Sequence, residues 1–198
     1  MIVCMTAQED FVDLFRDQVG PRLRAAGFKG SSPTWRRVSP GGDHVIVNVQ
    51  RSQGNSADHI QFYLNLAVVP RAYWEFTPRR TKLPMANHGL LWRRLNPPPP
   101  HPTREWQLPS SECAAAVIER LDGVVPELVR LLDRQELAAF IRAGTKDWWL
   151  KGKPERVEAF AIVDDGPSPR LRELLDALDR QPHLADTSAW LRQRAYRT

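Results

Sequence analysis

The chain has 198 residues, 42% of them hydrophobic and 26% charged, a composition near the globular average that argues against wholesale disorder. Its length suits one domain, or one core with an appended subdomain, and is enough to bury a sizeable interior. The net charge is +5, and no stretch approaches the ~20 consecutive apolar residues of a membrane span, so a membrane is not among the predicted partners.

Charge is unevenly distributed. Residues 1–109 carry 14 basic against 8 acidic side chains, and residues 110–198 carry 14 against 15. The excess concentrates in 71–104, where Arg71, Arg79, Arg80, Lys82, Arg93, Arg94 and Arg104 face Glu75 alone. Such a local field attracts anionic partners, or else the arginine stems simply cover apolar surface with their heads in water. Met1 to Met5 is apolar but too short for a signal peptide, and Glu9 and Asp10 follow, which predicts a cytoplasmic protein. Cys4 and Cys113 stand apart from each other and from any clustered histidines; the expectation is two reduced thiols packed as small hydrophobes.

In chain order, Thr6-Ala7-Gln8-Glu9 is a capping box at a helix start. Phe11, Leu14, Phe15, Val19, Leu23 and Ala26 recur at helical spacing, Gly20-Pro21 predicts a kink, and Gly27 a C-terminal cap. The period then changes to two. Trp35 to Val38 predicts a short strand, and 43–50 and 60–68 two half-buried strands of a hairpin. Coincident apolar faces set Val49 against either Phe62 or Ile60. Both registers gather Asn48, Gln50, Gln61, Tyr63 and Asn65 on the opposite face. Leu90 to Leu95 and Glu105 to Leu108 predict further strands, and Pro97 to Pro100 a stiff polyproline connector. From Ser110 the pattern is helical: a helix to Leu121 broken at Asp122-Gly123, a new one opened by Pro126, and a stripe continuing to Gly144. Further helices are predicted from Pro154 to about Val163, from the Ser168-Pro169 cap onward, and near 185–197.

These elements predict an α+β fold, with an N-terminal helix packed on a small antiparallel sheet and followed by a helical C-terminal half. Residues 1–109 would form the sheet region and 110–198 a helical region packed on it, with 145–198 as an extension. Helix, Gly27-Phe28, Trp35, a strand ending Gln50-Arg51-Ser52, then Leu64-Asn65-Leu66: this order resembles an uncharacterised bacterial family, the domain of unknown function numbered 4304, over roughly residues 8–143. The glycine expected after Asn-Leu is Ala67 here. The resemblance implies an α+β bacterial cytosolic protein and transfers no activity and no catalytic residue.

The motifs that carry chemistry are sparse. His44 and His59 fall at opposite ends of the hairpin and cannot share a metal, whose ligands lie about 2 Å from one centre. No nucleophile elbow, phosphate loop or dinucleotide fingerprint is present. Asp164-Asp165 before Gly166-Pro167 reads as a turn, and Glu155 with Glu158 as a solvated helix face. No cofactor and no catalytic residue is predicted. The leading expectation is a non-enzymatic macromolecule-binding protein with a protein partner, a class that includes immunity-type proteins, since aromatic and arginine side chains are enriched at interfaces. The second is nucleic-acid binding through Arg79, Arg80, Trp92, Arg93 and Arg94, where phosphates pair with arginine and bases stack on tryptophan. The third is an enzyme with a site on the polar hairpin face, with Tyr63, Gln50 and His44 as first suspects.

Overall fold

The computed structural model of the chain describes residues 6–78, 81–99 and 103–197. In chain order it has α1 (Ala7–Asp13), a π-helical stretch (Leu14–Val19), α2 (Gly20–Ala25), β1 (Lys29–Ser31), β2 (Thr34–Val38), β3 (His44–Arg51) and β4 (Ile60–Val69). These are followed by α3 (Arg71–Phe76), β5 (Leu91–Leu95), β6 (Trp106–Leu108), α4 (Ser111–Arg130) and α5 (Arg134–Ala143). Last come β7 (Trp149–Leu150), α6 (Pro154–Ile162), α7 (Pro169–Asp179) and α8 (Ala185–Ala195). The sheet order is β1-β2-β3-β4-β5-β7, with β6 paired to β4. The expected α+β class holds: an N-terminal helix, a sheet with antiparallel pairing, then a helical C-terminal half. No helix among the described residues is long and apolar enough to cross a membrane.

The chain divides into two compact units, each assembled from separated stretches. The first holds residues 1–37, 45–66 and 93–129, and the second 38–44, 67–92 and 130–198.

In the first unit the capping box forms as read. The Thr6 side chain accepts from Glu9 N–H, and the Glu9 carboxylate accepts from Thr6 N–H at 2.8 Å. The helical course runs through Gly20-Pro21 without a break. Proline has no N–H to give to the turn before it and crowds the carbonyl four residues back. The preceding stretch has instead widened to π geometry, with Gly20 N–H reaching Phe15 O, so the helical course continues into α2. Gly27 ends it at φ 81°, the left-handed conformation that glycine adopts without steric cost. One face of the sheet buries an aromatic cluster. Phe15 lies 4.8 Å from Phe11, 5.4 Å from Phe62 and 6.1 Å from Trp35, and Phe62 stacks on Trp106 at 6.5 Å. Each such ring contributes roughly 1.5–3 kcal/mol by burial.

The helix expected to break at Asp122-Gly123 does not break, and Pro126 lies inside it: α4 is continuous from Ser111 to Arg130. Val117, Leu121, Val124 and Leu128 form one buried stripe across both breakers. Tertiary packing of that stripe outweighs the ~1 kcal/mol of a helical glycine and the lost N–H of a proline. The hairpin register also differs from both expected pairings. Ser52 N–H donates to Gln61 O at 2.9 Å, a pairing that sets Val49 further along β4 than Ile60 or Phe62.

The second unit is mostly helical. Leu171, Leu174, Leu175 and Leu178 make the buried stripe of α7, and Ser168 caps it by accepting from Leu171 N–H. Phe160 is ringed by Tyr73 at 5.2 Å, Phe76 at 5.1 Å and Trp190 at 6.1 Å, with the Arg156 guanidinium over its face at 5.1 Å. The short helix α3, not legible in the sequence, supplies Tyr73 and Phe76.

Glu158 is a correction. It is 2% exposed, not solvated, and accepts from Arg142 Nη1 at 2.7 Å and from Arg170 Nε at 3.0 Å and Nη2 at 2.6 Å. Burial pushes its carboxyl up, but the hydrogen bonds from Arg170 and Arg142 outweigh that, and the pKa falls below the ordinary carboxylate value. Asp164 and Asp165 are likewise more than a turn. Arg134 donates to Asp43 Oδ2 at 2.9 Å, Asp165 Oδ1 at 3.1 Å and Asp164 Oδ2 at 3.4 Å, and Arg194 pairs with Asp164 and Glu75.

A carboxylate with a depressed folded pKa adds stability above its unfolded value of about 4.3 and loses it as pH falls through the folded value. Both guanidinium partners of Glu158 are 45% exposed, so water screens part of the interaction. Glu158→Gln is therefore expected to lower unfolding free energy by about 1–3 kcal/mol at pH 7. In urea titrations the gap to wild type should narrow as pH drops below about 4.

A polar sheet face as candidate interaction site

The face of the first unit's sheet opposite the aromatic cluster gathers the polar side chains of the hairpin. Alternation along β3 and β4 buries Val47, Val49, Phe62 and Leu64 on one side and turns Asn48, Gln50, Tyr63 and Asn65 to the other. The Asn65 amide is 4% exposed and sits at the centre. Its Nδ2 donates to Asn48 Oδ1 at 3.3 Å and Gln50 Oε1 at 3.2 Å, and its Oδ1 accepts from Arg94 Nε at 3.4 Å. Asn48 Nδ2 in turn donates to Pro33 O at 3.1 Å and Thr34 Oγ1 at 2.9 Å. Gln61 lies directly across from Gln107 of β6.

The Arg94 guanidinium lies 3.8 Å from the centroid of the Tyr63 ring. The hydrogen bond between Tyr63 and Glu105 raises the Tyr63 pKa, with burial and the Glu105 charge adding to it. At neutral pH the phenol keeps its proton and donates to the Glu105 carboxylate. The face thus offers fixed donors and acceptors around an arginine stacked on tyrosine.

Other expected positions are placed differently. Arg79 and Arg80 lie outside the described residues. Trp92 belongs to the second unit, where its ring meets Trp149 at 4.9 Å and its backbone pairs with the same residue. Arg93, 18% exposed, approaches Glu127 of α4 at 3.7 Å. Successive residues of a strand face opposite ways, so Arg93 and Arg94 do not share a surface. His44 opens β3 and belongs to the second unit. Thr34, Glu105 and Gln107 complete the face without having been singled out in the sequence. Gln107 was within reach of the alternation that buries Trp106 and Leu108, whereas nothing local marks Glu105 as the partner of Tyr63. Among the described residues, no three His, Cys, Asp or Glu side chains come together as metal ligands would. Cys113, half-buried, has its thiol pushed up to about 11 by burial, far from the thiolate a nucleophile needs.

With this geometry in view, the family is shown. A domain of unknown function, DUF4304, matches residues 19–149, and the chain belongs to that family. No curated protein and no solved structure matched it. The match runs from the end of the π-helical stretch to β7, so α6, α7 and α8 lie beyond it.

Asn65→Ala should cost about 1–3 kcal/mol in chemical denaturation, because it strips partners from Asn48, Gln50 and Arg94 in a part-buried site. Gln50→Ala, at an exposed position, should shift stability by less than about 0.5 kcal/mol.

Proposed function

We propose that this protein binds another protein through the polar sheet face of its first unit. The observation that carries this reading is the arginine of β5 laid on Tyr63 and tied to the buried Asn65 amide. Tyrosine and arginine dominate interface hot spots. Side chains already held in one geometry lose less conformational freedom on binding, which leaves more of the contact energy as affinity. The positive charge of Arg94, together with the net charge of +5, favours an acidic partner by electrostatic steering.

The nucleic-acid reading draws less support. A single-strand binder needs a groove where successive bases stack and phosphates meet cations side by side. Trp92 is engaged with Trp149, and Arg93 turns away from Arg94 toward Glu127.

A photo-crosslinking residue at position 50, with a second at exposed Glu119 on α4 as control, tests the reading in extract of the source cell. The expected result is one discrete protein adduct at position 50, absent at 119 and lost when Arg94→Glu is added. Nuclease-sensitive adducts at position 50 would transfer the face to nucleic acid, and identical adduct patterns at both positions would sink the proposed interface.

A further inference from the structure

A cavity of about 380 Å³ opens in the second unit, between α3, α5, the segment before α7, and α8. Its size falls within the roughly 300–1,000 Å³ of small-molecule sites. Four arginines line it, Arg71, Arg134, Arg194 and Arg197, against a single acid, Asp164, with Trp190 and Gln193 completing the wall. The carboxylates that balance the inner arginines, Asp43, Asp165 and Glu75, are not part of the lining. The lining therefore carries four arginines against one carboxylate-bearing residue.

The inner and outer arginines differ in what they have left to give. Arg134 is committed to Asp43, Asp164, Asp165 and the Gly41 carbonyl. Arg194 is committed to Asp164 and Glu75. Those ties hold the two groups, only 16% and 17% exposed, in fixed positions. Arg71 gives only its Nε to Glu75, at 2.8 Å, and its side chain is 54% exposed. Its two terminal nitrogens, and the whole guanidinium of Arg197, have no side-chain partner among the described residues. Planar guanidinium forks match phosphate oxygens two at a time, which ammonium groups do not. Trp190 is pinned by Phe76 at 5.3 Å and carries Arg194 over its ring at 5.3 Å, and such a held ring is a surface on which a flat heterocycle stacks.

We propose that this cavity binds a nucleoside monophosphate, with Arg71 and Arg197 on the phosphate, Gln193 as a further donor and Trp190 against the base. The site is independent of the sheet face of the first unit. It also draws on both parts of the chain: Gly41, Arg71 and Arg134 lie inside the family match, whereas Asp164, Trp190, Gln193, Arg194 and Arg197 lie beyond it.

Isothermal titration of the full chain with AMP, inorganic phosphate and adenosine, at low and moderate salt, tests this. AMP is expected to bind at sub-millimolar concentration, more tightly than either fragment, and more weakly as salt rises. Arg71→Ala and Arg197→Ala should each weaken AMP at least tenfold with unchanged melting behaviour, while Arg172→Ala on the exposed side of α7 should leave it alone. Phosphate binding as tightly as AMP would overturn the role of Trp190, and adenosine binding as tightly as AMP would overturn the arginine site. Absence of binding by all three at millimolar concentration, or AMP affinity equal in Arg71→Ala, Arg197→Ala and wild type, overturns the proposal as a whole.

Discussion

In the second unit, Arg134 ties separated stretches of the chain by hydrogen bonds. That unit is assembled from three separated stretches of chain, 38–44, 67–92 and 130–198, and nothing in their order keeps them together. Arg134, at the start of α5, donates to Asp43 and Gly41 in the first stretch and to Asp164 and Asp165 in the third. Asp43 passes the constraint on by accepting from the backbone N–H of Arg71 at 2.8 Å, which fixes the start of α3. Burial opposes the Arg134 charge, but Asp43, Asp165 and Asp164 outweigh it and raise its pKa above its ordinary value. A half-buried cation so placed is tolerated only because its partners are all present. The series Asp43, Arg134, Asp164, Arg194 and Glu75 is thus one alternating-charge chain, in which removing an inner member leaves a partly buried neighbour short of its counter-charge.

The first unit rests on a different constraint. Its sheet spends one face on Phe11, Phe15, Trp35, Phe62 and Trp106, and the two-residue period then leaves amides and Tyr63 on the other. Those amides answer one another across strands instead of relying on water. Such an arrangement rigidifies a surface, because a side chain with two or three fixed partners has few alternative rotamers.

Local signals were readable where the physics is local. The Thr6 capping box, the glycine ending at Gly27 and the serine cap at Ser168 depend on neighbours within a few residues, and each appears in the structure; the alternation of β4 holds from Ile60 to Leu64, beyond which both faces are buried. What escaped the sequence depends on packing at a distance. Gly123 and Pro126 read as breakers, yet the buried stripe of α4 carries the helix through them. Glu158 read as a solvated residue because its partners, Arg142 and Arg170, come from two other helices. Asp164 and Asp165 read as a turn because Arg134 is some thirty positions away. The polar face was visible as a set of residues, but its organisation around Asn65 and Arg94 was not, since Arg94 reaches it from a strand 29 positions on.

The family boundary cuts through the surroundings of Arg134. Two of its three carboxylate partners, Asp164 and Asp165, lie after residue 149, whereas Asp43 lies before it. A relative that stops near that boundary would leave an arginine here with one counter-charge where this chain supplies three. The identity of residue 134 should therefore covary with chain length across the family: arginine where the tail follows, and a smaller or uncharged side chain where it does not. Gly41 should follow the same divide, since a Cβ there would stand 2.7 Å from the Arg134 Nη2 atom. The presence of the tail would then be legible at two positions within the family match itself.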